Sequence, residues 1–116
     1  MIKQLLPTGA KLIWVTTCPV PNGFEKAGPL SPDGKTPGRT SDMMEKYLNP
    51  WAAEVVARYP QISVCDQWQL VKDGADGLYR EWWPGTDVHF SGERTAALGR
   101  LPADSVLKAT GRPAGK

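Results

Sequence analysis

Lys11-Leu12-Ile13-Trp14-Val15-Thr16-Thr17 is the stretch of sequence on which the predicted fold depends. It is a β-branched and aromatic run without clean alternation, which is typical of a strand covered on both faces, as in a parallel sheet. A second short strand is predicted at residues 62–66. A helical segment separates the two strands, and this order implies a parallel crossover connection. We therefore predict an α/β fold built on a parallel sheet.

The helical segment between the strands begins at Thr40 or Ser41, either of which can cap it. Its apolar residues recur at helical spacing and are expected to face the core. They are Met44, Leu48, Trp51, Val55 and Tyr59. Pro50 predicts a break, with one helix ending near Leu48 and a second over residues 50–58.

Three further helical segments are predicted. Residues 2–6 form the last turn of a helix that Pro7-Thr8-Gly9 closes. Another helix begins at residues 67–71. The last helix is capped by Ser91 and extends over residues 92–101, where Pro102 ends or kinks it. We expect one domain over residues 1–110 and a flexible tail at 111–116.

Length and composition restrict the function class. The 116 residues allow one small domain, and 41% hydrophobic with 22% charged residues is a globular composition. A net charge of +2 gives no basic surface of the kind that nucleic acids bind. The longest apolar run, residues 12–15, is far shorter than the roughly 20 residues of a membrane span. We expect a protein without nucleic-acid or membrane-spanning functions. No export signal is visible, and the cellular location stays open.

The two cysteines, Cys18 and Cys65, lack the paired spacing of a zinc site, and no metal or cofactor is predicted. Free buried thiols are expected, with one bridge between neighbouring strand ends as the alternative. Cys18 follows a predicted strand and is the most plausible nucleophile in the chain. The proline after it removes a backbone donor where an oxyanion site would need one, which argues against that role.

Two loops carry candidate binding residues. Residues 18–40 are rich in proline and glycine and form a functional lid, a binding segment or a linker. Arg39 near its end is a candidate for binding the acyl or leaving group of a substrate, or else a solvated surface residue. Trp82 and Trp83 lie in the second predicted loop, which is marked by Gly74, Gly77, Pro84 and Gly85. They either stack on a sugar or aromatic ester or pack against the protein.

His89, the chain's single histidine, is the candidate general base. It lies in a loop just before the last predicted helix, where the helix dipole favours the neutral imidazole. Asp87, two residues earlier, can fix the tautomer by accepting the Nδ1 proton. In the alternative interpretation, Asp87 closes a turn and His89 is a surface residue.

The order of these segments resembles the C-terminal part of an SGNH (GDSL-like) hydrolase. The resemblance extends from about Thr8 to Lys108. Its most specific pieces are Thr-Thr-Cys-Pro-Val-Pro at residues 16–21 and Asp-Val-His-Phe at 87–90, which a helix follows. Its other segments are Gly38-Arg39, Tyr47, Asn49 and the predicted strand at 62–66.

This resemblance implies a three-layer α/β/α sandwich with a flavodoxin-like parallel sheet and a serine ester hydrolase, either a carboxylesterase or an acetylesterase. It implies a small ester or acetylated carbohydrate as substrate. His89 matches the family's base. Asp87 lies two residues before it, whereas the family spacing of three falls on Thr86, so either Asp87 or the backbone orients the imidazole.

The family's serine, glycine and asparagine blocks are not found in this sequence. We expect them to precede residue 1, so that the domain is incomplete at its N-terminus. The alternative function is a non-catalytic α/β remnant or interaction module that lacks the nucleophile. Such a module would self-associate through exposed sheet edges.

Overall fold

The computed structural model describes residues 1–20, 41–74, 88–90 and 92–113. In this part of the chain, two short parallel strands form the sheet. Strand β1 is Ile13–Val15 and strand β2 is Ser63–Cys65. Trp14 pairs with Val64 in the centre of the ladder. The predicted parallel pairing is confirmed, and both strands are shorter than the runs that predicted them.

Five α-helices accompany the sheet in the described ranges, which makes the fold mixed α/β. A single 3₁₀ turn, Leu6–Thr8, follows α1, and Gly9 closes it in the left-handed conformation at φ 74°. This is the stop that Pro7-Thr8-Gly9 predicted. The α-helices are α1 (Ile2–Leu5), α2 (Ser41–Met43), α3 (Asn49–Val56), α4 (Gln67–Asp73) and α5 (Gly92–Ala109).

A π-helical turn, Met44–Leu48, joins α2 to α3 without a break. The prediction that Pro50 splits this segment is therefore wrong, although the proline does lie in the first turn of α3. In the wider turn, the N–H of Asn49 donates to the carbonyl of Met44. This wider spacing accommodates Pro50, which has no N–H to continue the hydrogen bonds of an α-helix.

The π turn also moves the buried face of the helix by one residue. Met44 is buried as predicted, but Val56 is buried in place of Val55. Trp51, predicted to face the core, is 53% exposed. A π turn holds more residues than an α turn, so a strict 3.6-residue period from Met44 gives the wrong face downstream.

Helix α5 continues through Pro102 to Ala109, so of the two predicted effects of this proline, an end or a kink, the end near residue 101 is wrong. A proline at this position removes the N–H that would bond to the carbonyl of Leu98, four residues earlier. The side chain of Gln67 in α4 replaces that donor, since its Nε2 lies 3.0 Å from the Leu98 oxygen. A tertiary contact thus satisfies the backbone group that Pro102 leaves open.

We expect Gln67→Ala to lower the free energy of unfolding by about 1–3 kcal/mol, because the Leu98 carbonyl loses its donor. In a Pro102→Ala background the helix supplies its own N–H, and the cost of Gln67→Ala falls. Urea unfolding of the four proteins in this double-mutant cycle measures the coupling. Gln69→Ala, on the same helix, should cost the same in both backgrounds. Additive effects of Gln67→Ala and Pro102→Ala would contradict the assignment.

Two clusters hold most of the buried residues in the described part of the chain. In the first, Val71 and Leu98 pack together, with Cys18 and Phe90 against them. In the second, Val20, Met44 and Trp68 pack together, with Leu48 and Val88 against them.

The strands are less covered than their sequences predict. Val15 is 37% exposed and Val64 is 57% exposed, so neither strand is buried on both faces among the described residues. Their paired positions place Trp14 and Val64 on one face of the sheet and Val15 and Cys65 on the other. Cys65 is the strand residue that is fully enclosed.

Candidate functional site

The candidate site lies where β1 and β2 end, because open α/β sheets bind ligands at the carboxyl ends of their strands. Thr16 follows β1 and Asp66 follows β2. The Thr16 hydroxyl donates to the Asp66 carboxylate at 2.9 Å and accepts from the Trp68 N–H at 2.9 Å. The same carboxylate oxygen accepts from the N–H of Gln69 at 3.1 Å and so caps α4. One carboxylate thus fixes both strand ends and the start of a helix.

Two side chains from the helical segment hold the chain that leaves β1. The amide of Asn49 makes two bonds to the backbone of Thr17, accepting from its N–H at 2.9 Å and donating to its carbonyl at 3.0 Å. The hydroxyl of Ser41 likewise accepts from the N–H of Val20 and donates to its carbonyl, both at 3.0 Å. Ser41, predicted as a helix cap, is used here to position Val20.

His89 lies between two residues that pack into different core clusters. Val88 contacts the cluster of Val20, Met44 and Trp68, and Phe90 contacts the cluster that contains Val71. The imidazole side chain between them is exposed. Helix α5 begins at Gly92, as the sequence predicts for a histidine placed just before the last helix. The backbone on either side of His89 is therefore anchored, and its side chain faces solvent.

The other predicted site residues lie outside the described residues. They are Arg39, Trp82, Trp83 and Asp87. Ser91, the predicted cap of α5, also lies outside them, as do most of the 18–40 loop and the end of the predicted tail. The pairing of Asp87 with His89 and the substrate contacts of Arg39, Trp82 and Trp83 remain predictions.

Both cysteines are free thiols. Cys18 is half-buried, and its Sγ lies 3.6 Å from Oε1 of Gln67, to which it donates. Burial, with smaller effects from nearby Cys65 and Asp66, raises the pKa of the Cys18 thiol to about 11. Because the thiolate is the reactive form, this environment argues against Cys18 as a nucleophile at neutral pH.

Cys18 is expected to alkylate slowly. In a Cys65→Ala protein, which keeps the burial of Cys18 but loses the effect of Cys65, its reaction with iodoacetamide at pH 8 should be at least about tenfold slower than that of a thiol at the ordinary pKa of 9.0. The rate should still rise between pH 9 and 11. The control is Thr110→Cys, an exposed position, in a chain with both native cysteines replaced by alanine. Equal rates for Cys18 and the control thiol at pH 8 would contradict the prediction.

The serines of the described residues do not form a nucleophile site. Ser41 is bound to Val20, and Ser105 donates to the carbonyl of Leu101 at 2.9 Å. Ser63 is the first residue of β2 and therefore lies at the opposite end of the strand from the candidate site. The described part of the chain supplies a candidate base without an attacking serine.

Sequence reasoning did not assign functions to Thr16, Asp66 and Gln67, although they organise the strand ends. The helix cap at Asp66 could be predicted from the sequence, because an aspartate lies there between a predicted strand and a predicted helix. Thr16 and Gln67 have none, because their partners are 50 and 31 residues away.

The surroundings of the site hold no group of three potential metal ligands within the described ranges. Of the helices described, none has the length and apolar character needed to cross a bilayer. Comparison with protein-family models, with curated proteins and with solved structures finds no match to this chain. The SGNH resemblance stays an expectation from the sequence segments quoted above.

Proposed function

We propose that this chain carries the general-base histidine of an SGNH-type serine ester hydrolase. The observation that supports the proposal most directly is the placement of His89. Its imidazole is exposed immediately before α5, while Val88 and Phe90 anchor the backbone in the two core clusters. A base must be held in place and still reach its substrate, and this arrangement meets both requirements.

The proposed fold is the three-layer α/β/α sandwich. Helix α5 contacts both strands. Val56 of α3 lines a groove together with Trp14 and Val64, which share one face of the sheet. Helices associated with the sheet in this way support a layered arrangement, with the carboxyl ends of the strands as its active edge.

In the proposed reaction, His89 takes the proton of a serine hydroxyl while the serine oxygen attacks the ester carbonyl. The histidine then gives that proton to the leaving alcohol, and water hydrolyses the acyl-serine in a second step. Asp87 or the local backbone orients the imidazole. Arg39, Trp82 and Trp83 are proposed to contact the substrate, a small ester or acetylated carbohydrate.

The attacking serine is proposed to come from a polypeptide segment outside this chain. The test is to isolate the tagged chain from its native cells with any attached polypeptide, and to treat it with a fluorophosphonate probe. We expect a labelled serine outside these 116 residues and hydrolysis of p-nitrophenyl acetate by the same preparation. A preparation without labelled serine and without activity above free imidazole would contradict the proposal.

The purified chain alone provides a second test. It should hydrolyse p-nitrophenyl acetate no faster than free imidazole at equal concentration. Saturable turnover that is lost in His89→Ala would show that a nucleophile lies within these residues, and would overturn the proposed external serine.

The second candidate function is a non-catalytic interaction module. The incomplete cover of the two strands favours this function, since Val64 and Val15 are both exposed. An interaction module would bind a partner or a second copy and would show no esterase activity in either preparation.

A further inference from the structure

An apolar groove lies beside β1, and no residue of β2 lines it, which places the groove at the edge of β1 that does not face β2. The groove has a volume of about 500 Å³ and is lined by the whole of β1. Residues of α1, Val56 of α3, and Pro102 and Val106 of α5 form its walls. Val106 is 50% exposed. The groove therefore combines a strand edge with apolar walls that solvent reaches.

The backbone bonds to β2 establish which groups of β1 point into this groove. The N–H of Thr16 donates to the carbonyl of Cys65, and the N–H of Ser63 donates to the carbonyl of Leu12, both at 3.1 Å. Alternate residues of a strand direct their backbone groups to opposite edges. Ile13 and Val15 thus present their N–H and C=O groups to the open edge. Within the described residues, these groups have no backbone partner.

The groove has the length of one short added strand, because all three residues of β1 line it. Three residues of a strand extend roughly 10 Å, and a strand paired with β1 would lie about 4.8 Å from it. An acyl chain would fit the apolar walls but would leave the backbone groups of Ile13 and Val15 unbonded.

The charge of the groove indicates the chemistry of the partner. Lys11 lines this groove, and Lys3 lines an adjoining groove that shares Trp14 and Val56 with it. Neither groove is lined by an acidic residue among those described, and neither lysine forms an ion pair there. Acidic residues beside the bound strand would complement these two charges.

We propose that the open edge of β1 binds an extended apolar segment of a separate polypeptide, flanked by acidic residues, as an added β-strand. Main-chain bonds to Ile13 and Val15 supply affinity, and the apolar walls and the two lysines select the sequence. The proposal does not depend on ester hydrolysis. It narrows the interaction-module function to one edge and one class of partner.

The test uses the full chain and fluorescein-labelled peptides in an anisotropy titration without any ester. The reference peptide is Glu-Glu-Thr-Val-Ile-Val-Thr-Glu-Glu. A second peptide replaces its four glutamates with lysines. A third peptide keeps the sequence but carries methyl groups on alternate backbone nitrogens in its centre. We expect the acidic peptide to bind at least about tenfold more tightly than the methylated peptide, which has the same side chains but fewer donors. The lysine peptide should bind more weakly than the acidic one.

Two variants of the chain test the edge itself. Lys3→Glu with Lys11→Glu should reverse the preference between the acidic and lysine peptides, whereas Lys108→Glu, outside both grooves, should not. Val15→Pro removes an N–H that points to the groove and leaves the bonds to β2 in place, so it should abolish binding. Circular dichroism confirms that each variant is folded.

Three results would overturn the proposal. The first is binding that does not distinguish the methylated peptide, which would mean apolar adhesion without strand pairing. The second is no binding of the acidic peptide. The third is sedimentation that shows micromolar self-association abolished by Val15→Pro, which would make a second copy the occupant of the edge.

Discussion

Trp68→Ala is expected to destabilise the chain more than any other single side-chain truncation in its core. Trp68 is only 8% exposed and packs with Val20 and Met44, and Val88 lies against the same cluster. Truncating a buried tryptophan to alanine costs roughly 3–5 kcal/mol. Domains of this size have a total free energy of unfolding of about 5–15 kcal/mol, so a large fraction of the stability would be lost.

The measurement is urea unfolding followed by circular dichroism, with Trp51→Ala as the matched control. Trp51 is the same residue type and was also predicted to face the core, as Trp68 does, but it is 53% exposed. The ring of Trp51 contacts Tyr47 at a centroid distance of 5.5 Å, so Trp51→Ala should lower the free energy of unfolding by less than about 1.5 kcal/mol. Equal destabilisation by the two variants would show that the described core is assigned wrongly.

Trp68→Ala should also affect the candidate site. The cluster that contains Trp68 holds Val88 in place, and Val88 is one of the two anchors beside His89. A cavity at residue 68 would therefore loosen the backbone that carries the candidate base. We expect any hydrolytic activity of the assembled protein to fall in Trp68→Ala before the chain unfolds globally.

The parallel sheet was predictable because its signal is local. The β-branched runs that contain β1 and β2, with a helical segment between them, are sufficient to indicate strands and a parallel connection. The start of α4 is equally local, since Asp66 caps the helix that follows it within three residues. The position of His89 before α5 was predictable for the same reason.

The two errors at prolines have a different origin. Pro50 and Pro102 both obey the local rule that proline removes a helical hydrogen bond. At Pro50 a π turn supplies a different backbone pairing, and at Pro102 the side chain of Gln67 supplies a donor from another helix. Neither compensation has a pattern in the residues beside the proline. The π turn also explains why the helix face was predicted one residue out at Val55.

The candidate site was predictable only in part. The residue type and loop position of His89 suggested a base, and the alternation of Val88, His89 and Phe90 is consistent with half-buried anchors on either side of an exposed residue. The polar network at the strand ends was not predictable, since Thr16 bonds to Asp66 across 50 residues. Only the folded chain shows that this network fixes the two strand ends together.

His89→Ala is expected to lower kcat/KM for p-nitrophenyl acetate by a factor of roughly 10²–10⁴ in the preparation that contains the attacking serine, the usual contribution of a general acid–base group. The loss should lie mainly in kcat, because the histidine moves a proton in the transition state and contributes little to binding the ester. His89 is exposed, so its replacement should lower the free energy of unfolding by less than about 1.5 kcal/mol, even with the loss of one side-chain interaction. Arg100→Ala, an exposed change on α5, is the control and should retain activity.

The same assay decides how His89 is oriented. If Asp87 accepts the Nδ1 proton, Asp87→Ala should lower kcat by one or more orders of magnitude, because the imidazole loses its fixed tautomer. If the backbone orients the imidazole, Asp87→Ala should leave kcat within a few-fold of the parent, while His89→Ala remains inactive. Unchanged activity in His89→Ala would exclude the histidine as the base, and the surface interpretation of Asp87 and His89 would then hold.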